Sequence, residues 1–237
     1  MKGFLLAGGL GTRLRPLTDD TPKCLLPIKG TPMLKIWFDL CRMYGIDELL
    51  VNVHLHIEAV RRFVETNSGG LRVHLFEEPV LRGSAGTILA NRDWVKKEDF
   101  FWVFYADVLT SMNLEKMLHF HNTRGQCATI SVYEVPDPSR CGIVQLDGTG
   151  IVRDFVEKPQ NSIGNLAFAG LMICTPLILD LIPEQPLADL GYHVLPKIIG
   201  RMAAYRVPDF LIDVGTLETY KIAQMNWPGL RQSHSLI

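Results

Sequence analysis

The stretch Gly8-Gly9-Leu10-Gly11-Thr12-Arg13-Leu14-Arg15 packs three glycines and two arginines into eight residues, and Lys23 follows Pro22 a short way on. Glycine lets the backbone turn sharply and presents its N–H groups with no side chain in the way. Bare amides beside fixed cations suit a polyphosphate. The pattern departs from both common phosphate fingerprints. Counted from Gly9, Gly-x-Gly-x-x-Gly would need a glycine where Leu14 stands, and the Gly-Lys-Ser/Thr of a Walker loop is missing. Carboxylates form a second set. Asp107 follows the apolar run at 100–105, and Asp213 follows Phe210-Leu211-Ile212. A carboxylate at the carboxyl end of a buried strand sits in the crevice where α/β sheets bind ligands.

These groups have to be held by a regular scaffold, and the hydrophobic pattern supplies one. Residues 2–7 read as a strand, 32–45 as a helix ended by Gly45, 48–53 as a strand, 57–67 as a helix and 71–76 as a strand. A helix at 84–96, a strand at 100–105 and a helix at 113–124 follow. Such alternation implies crossover units and a mixed, mostly parallel sheet flanked by helices, a Rossmann-like α/β class. The second half has more strand, at 127–135, 142–147, 151–157 and 167–174, then helices near 175–182 and 190–199. A strand pair around 203–213 and a helix at 216–226 close the expected core, with a frayed tail after Pro228.

Apolar residues make up 47% of the 237 and the formal net charge is −1. That balance is ordinary for a folded soluble domain and gives no sign of a nucleic-acid or membrane-surface partner. No apolar run approaches the about 20 residues of a membrane span. Met1-Lys2 leads into only five apolar or small residues before the loop, too few for a signal peptide. A cytoplasmic location is therefore expected. Cys24, Cys41, Cys127, Cys141 and Cys174 include no Cys-x-x-Cys pair and read as small core residues in a reducing compartment. His54, His56, His119 and His121 read as solvated or hydrogen-bonded side chains rather than metal ligands.

The run GGLGTRLRPLT followed by PKCLLPI resembles the sugar-1-phosphate nucleotidylyltransferases, also called nucleoside-diphosphate-sugar pyrophosphorylases, and above all their mannose-1-phosphate guanylyltransferase branch. Glu78-Pro79 with Gly83-Ser84-Ala85-Gly86-Thr87, Asp107, Glu157-Lys158-Pro159 and Asp213-Val214-Gly215-Thr216 follow in the family's order, so the resemblance runs from about residue 2 to residue 222. It implies a single nucleotidylyltransferase domain over 1–227 with a flexible tail at 228–237. The hexapeptide β-helix that longer members append has no counterpart here. The implied reaction is attack by a sugar-1-phosphate oxygen on the α-phosphorus of a nucleoside triphosphate, with pyrophosphate leaving. The nucleophile is already an anion at neutral pH, so catalysis reduces to aligning two repelling anions and neutralising charge at the α-phosphate.

The resemblance also distributes roles. Arg13 and Lys23 act on the triphosphate as the catalytic cations, with Arg15 in support. Leu6, Ala7, Gly8, Gly9, Gly11, Thr12, Glu78 and Gly83 bind the nucleotide. Asp107 and Asp213 hold Mg²⁺, which commonly takes one or two carboxylates and completes its shell with phosphate oxygens and water. Gly142, Glu157, Lys158 and Phe168 meet the sugar phosphate. At position 78 thymidylyl and some uridylyl relatives carry glutamine. An ionised glutamate is acceptor-only and better matches guanine's N1–H and N2–H₂, which favours GTP, although some uridylyltransferases also carry glutamate there. Ala106 replaces a usual glycine, Cys141 a tyrosine and Phe168 an asparagine beside the sugar. Mannose 1-phosphate is thus the first expectation, with a muramyl, heptosyl or glucosyl phosphate left open. The rival readings are a uridylyltransferase acting on glucose 1-phosphate or N-acetylmuramate 1-phosphate, and a nucleotide-sugar sensor without turnover. The expected partners are the two small-molecule substrates, and apolar strands in the second half offer an edge for a homodimer.

Overall fold

A computed structural model describes residues 1–161 and 163–230. The chain divides into two compact units, one made of Met1–Pro79, Tyr105–Asn113 and the segment from Pro208 on, the other of Val80–Phe104 and Leu114–Val207. The fold is the expected mixed α/β sheet flanked by helices.

In the first unit the strands Lys2–Leu6, Glu48–Val53 and Arg72–Glu77 run parallel, with Glu48–Val53 in the middle. Parallel neighbours need crossover connections, and the helices Met33–Met43 and Ile57–Asn67 provide them. The first of these buries Leu34, Trp37, Phe38 and Cys41 along one stripe. It stops where predicted. Gly45 turns left-handed at φ 68°, its N–H donates to the Arg42 carbonyl at 3.2 Å, and the Ile46 N–H donates to Cys41 at 2.9 Å. This pair of bonds satisfies carbonyls that a helix end leaves orphaned. Farther along, Val108–Thr110 pairs antiparallel with Leu211–Asp213, and Thr216 caps the helix Leu217–Asn226 through a capping box with Thr219. Ile28, Met33, Ile36, Leu109, Val214, Ala223 and Trp227 form a core cluster under these pieces.

The second unit is largely antiparallel. Leu166–Cys174 lies between Phe101–Tyr105 and Ala128–Glu134, Gly142–Leu146 pairs with Val152–Glu157, and Met202–Arg206 joins its neighbour, Ala128–Glu134, in parallel. Gly83–Ala90 and Leu114–Arg124 are its longer helices.

Three expectations fail in detail. The helix expected at 84–96 breaks at Asn91 into Gly83–Ala90 and Arg92–Val95. The region at 175–182 is helical but of the 3₁₀ kind, at Pro176–Leu181, and 190–199 breaks into an α-turn at Leu190–His193 and a 3₁₀ turn at Leu195–Ile198. Pro196 lacks the N–H needed to continue the helix, and its ring clashes with the preceding turn. The strands near 203–213 do not pair with each other. Met202–Arg206 belongs to the second unit and Leu211–Asp213 to the first. Alternation tells which face a side chain takes, not which strand lies alongside.

Candidate active site

In the first unit the glycine loop is anchored at both ends. The Ala7 N–H donates to Asn52 Oδ1 at 2.8 Å, tying the loop's start to the neighbouring parallel strand. Gly11 is left-handed at φ 66°, a β-carbon there would lie 3.1 Å from Thr18 Cγ2, and Thr18 Oγ1 donates to the Gly11 carbonyl at 2.8 Å. The turn Thr12–Leu14 buries Leu14 and leaves Arg13 exposed. Leu6, Ala7, Gly9, Lys23, Ala106 and Asp107 line a cleft at the carboxyl end of the first strand. Ala7, Gly9 and Lys23 also line an adjoining cleft with the apolar side chains of Val53, Leu55 and Val60. Arg15 sits away from these groups in an exposed pair with Asp19. Glu78 is fully buried, and its carbonyl accepts a 2.7 Å hydrogen bond from His54 Nδ1.

The two aspartates are brought together by backbone pairing. Asp213 lies opposite Val108 in the short ladder, and the Val214 N–H donates to the Asp107 carbonyl at 2.8 Å. Lys23, whose side chain is 11% exposed, places Nζ 2.8 Å from Asp107 Oδ2. Burial pushes the Asp213 carboxyl up to about 6, the negative charge of Asp107 adds to the rise, and Lys23 and Arg13 oppose it. A β-carbon at Gly215 would come within 2.6 Å of Asp213 Oδ1 and 3.2 Å of Arg13 Nη2, so the guanidinium and the second carboxylate share one wall. Asp107, Asp213, Lys23 and Arg13 thus form one cluster. Two partly desolvated carboxylates whose charges oppose each other suit a divalent cation that also takes phosphate oxygens. Among the described residues no third His, Cys, Asp or Glu joins them as a ligand set.

The residues expected to meet the sugar phosphate lie in the second unit. Gly142 and Glu157 face each other across the antiparallel ladder, and a β-carbon at Gly142 would meet Glu157 Oε2 at 2.7 Å. Burial raises the Glu157 carboxyl above its ordinary value, Lys158 works against that rise, and Asp189 adds to it. Lys158 itself is left-handed at φ 50°, a strained conformation for a side chain of this kind. Its N–H is fixed to the Cys141 carbonyl at 2.9 Å, and Nζ stands 3.8 Å from Glu157 Oε1. Phe168 is half-buried where the strand Leu166–Cys174 shifts register against Ala128–Glu134. Gly83 is left-handed at φ 76° and packs directly on the Ala188 carbonyl, which requires glycine irrespective of any ligand.

The family model for nucleotidyl transferases matches residues 2–228. The chain belongs to that family. Mannose-1-phosphate guanylyltransferase 1 of Arabidopsis thaliana is 33% identical over 228 residues, covering 93% of this chain and 63% of the relative. The catalytic subunit beta of the same enzyme from Xenopus tropicalis is 30% identical, covering 99% of this chain and 67% of the relative. The chain thus spans about two thirds of the length of the curated relatives it matches. Among solved structures, HddC from Yersinia pseudotuberculosis, crystallised with GMP-PN, superposes with a TM-score of 0.79 at 23% identity, covering 95% of this chain and 99% of that one. A putative glucose-1-phosphate thymidylyltransferase from Bacillus anthracis gives 0.84 at 22% identity, covering 95% and 94%. Both share the fold. No described helix is long and apolar enough to cross a membrane.

Within this nucleotidyl transferase chain, the sequence reading overlooked one set of residues. Gly191, Asp189, Ser84 and Tyr192 gather around Glu157 and Lys158. The available signal was a glycine placed two residues after a capping aspartate, inside a helical turn where glycine is disfavoured.

Proposed function

We propose that this chain joins a nucleoside triphosphate, GTP by preference, to a sugar 1-phosphate, mannose 1-phosphate or a close relative, giving a nucleotide sugar and pyrophosphate. The observation that carries this reading is the cluster of Asp107, Asp213, Lys23 and Arg13 beside an amide-lined loop. No general base is needed, because the attacking phosphate oxygen is already ionised. That oxygen forms a bond to the α-phosphorus while the bond to the bridging oxygen breaks, and the electron pair leaves with pyrophosphate. Lys23 and Arg13 neutralise charge that builds on the transferred phosphoryl group and the leaving group. Asp107 and Asp213 would hold Mg²⁺, which on binding supplies charge neutralisation and a fixed orientation of the phosphates. The cleft where Val53, Leu55 and Val60 meet Thr18, Thr21 and His56 would face the base, with apolar side chains for its ring and polar ones for its edge. Glu157 accepts hydrogen bonds from sugar hydroxyls, and Lys158 pairs with the sugar phosphate.

The relatives named mannose-1-phosphate guanylyltransferases and the neighbour crystallised with GMP-PN favour guanine and mannose. A uridylyltransferase acting on glucose 1-phosphate or N-acetylmuramate 1-phosphate is the second reading, favoured by Phe168 where asparagine is usual. Residues 1–227 would act as one catalytic domain in the cytoplasm. Pyrophosphate release, measured with Mg²⁺ over five nucleoside triphosphates and a panel of sugar 1-phosphates, tests both readings. GTP with mannose 1-phosphate should give the highest kcat/KM. A higher value with UTP transfers the assignment, and tight binding without pyrophosphate release leaves only a sensor.

A further inference from the structure

Glu157 occupies a slot walled by two glycines far apart in the chain. Gly142 faces it across the ladder, and a methyl group at Gly191 would overlap Glu157 Oε2 outright. Glycine is, after proline, the poorest helix former, yet Gly191 sits in the one-turn helix Leu190–His193. Its position is held tightly. Asp189 Oδ1 accepts the Gly191 N–H at 2.9 Å and Asp189 Oδ2 accepts the Ser84 hydroxyl at 3.0 Å. Ser84 Oγ in turn accepts the Leu190 N–H at 2.8 Å. Just before this turn, the Ala188 carbonyl accepts the Ala85 and Gly86 N–H groups, each at 3.0 Å. The next residue, Tyr192, keeps its ring half-exposed, with Lys158 Nζ 5.7 Å from the centroid, within cation–π range.

On the reading that Glu157 and Lys158 take the sugar phosphate, we infer that the segment 189–192 is the positioning element for that pair. Gly191 leaves room for the Glu157 carboxylate, so one oxygen is pinned between glycines and the other stands 3.8 Å from the lysine ammonium. Tyr192 holds that ammonium, on a backbone already committed to a left-handed turn. An acceptor and a cation fixed side by side match a ligand that offers ring hydroxyls next to a phosphate, which is the chemistry of a hexose 1-phosphate. The size of the residue at 191 therefore decides where the acceptor lies. Neither Gly191 nor Tyr192 takes part in bond making.

A double-mutant cycle on the full chain tests this, with KM and kcat read for each substrate alongside melting temperature. Gly191→Ala should raise KM for the sugar 1-phosphate about tenfold, the loss expected for a misplaced charge-assisted hydrogen bond. KM for the nucleoside triphosphate should stay within about twofold. In a Glu157→Ala background the same change should add less than about twofold, because the group it displaces is gone. Tyr192→Leu should raise the sugar-phosphate KM several-fold and Tyr192→Phe should restore it. An equal effect of Gly191→Ala in both backgrounds, or none in either, overturns the inference. Should Gly191→Ala not fold, equal KM values for Tyr192→Leu and Tyr192→Phe overturn it instead. If no substrate pair turns over, the functional reading fails by itself, and crystal structures of the parent and Gly191→Ala decide the positioning claim separately. A displaced Glu157 carboxylate upholds the claim, and an unmoved one sinks it.

Discussion

The charged cluster of the first unit and the glycine slot of the second solve opposite problems. In the first, four charges meet, and opposite signs offset one another: Lys23 lies on Asp107, and Arg13 and Asp213 share the wall at Gly215. In the second, the Glu157 carboxylate is buried against two glycines, with a half-exposed lysine beside it and the Asp189 carboxylate near enough to oppose its charge. A group that must follow charge through a reaction is kept among other charges. A group that must present one hydrogen-bonding face to a neutral ring is kept rigid. The first arrangement should govern turnover and the second substrate affinity.

The sharpest way to break this division is Lys23→Ala. It should lower kcat by about 10³-fold, the scale seen when a single electrostatic stabiliser of a transition state is lost, with little change in melting temperature. Turnover at the parent rate would remove Lys23 from the chemistry. Next in size, Asp213→Asn should reduce Mg²⁺-dependent turnover by about 10²-fold and abolish the rise in melting temperature that Mg²⁺ gives the parent through ligand linkage. A variant that Mg²⁺ still stabilises as well as the parent would place the metal elsewhere.

Glu157→Gln probes the other side. It should raise KM for the sugar phosphate by about tenfold, leaving the triphosphate's KM unchanged. The stability sign follows from the carboxyl's displacement. Burial raises its value in the folded chain, so the group's contribution to stability is intact while it is protonated and is lost as pH rises through the folded-state value. Glutamine carries no charge to bury. The variant's melting temperature should therefore gain on the parent from acid towards neutral pH, and melting curves at pH 4 and pH 7.5 check it. Smallest is Thr18→Val, which removes the hydroxyl bond to the Gly11 carbonyl. It should cost about 1 kcal/mol of stability, measured by denaturant midpoint, and raise the triphosphate's KM more than the sugar phosphate's. The reverse order would mean the loop and the slot are not separable in this way.

How much of this was legible in the chain depends on how far apart the partners lie. The glycine loop and its cations lie close together in the chain, so Gly11, Arg13 and Lys23 announce it, and Asp107 is marked by the apolar strand before it. The helix ending at Gly45 could be read because its stop signal is local. Glu157 and Lys158 could be singled out, but not the slot, because Gly191 is required by an approach through space from residues that pairing brings near. Pairing was equally hidden for the strands near 203–213, which show the right alternation and join different partners. The breaks at Asn91 and Pro196 show the limit for short helices, where a cap or one proline outweighs a periodic pattern.

The ladder between 108–110 and 211–213 makes the meeting of Asp107 and Asp213 a late event in the life of each molecule. During synthesis the loop, the lysine and the first aspartate leave the ribosome long before position 213 does. A nascent chain therefore carries Arg13, Lys23 and Asp107 but lacks Asp213 until the strand at 211–213 emerges and zips onto an edge laid down more than a hundred residues earlier. On the proposed function, catalytic competence would then wait on the strand at 211–213.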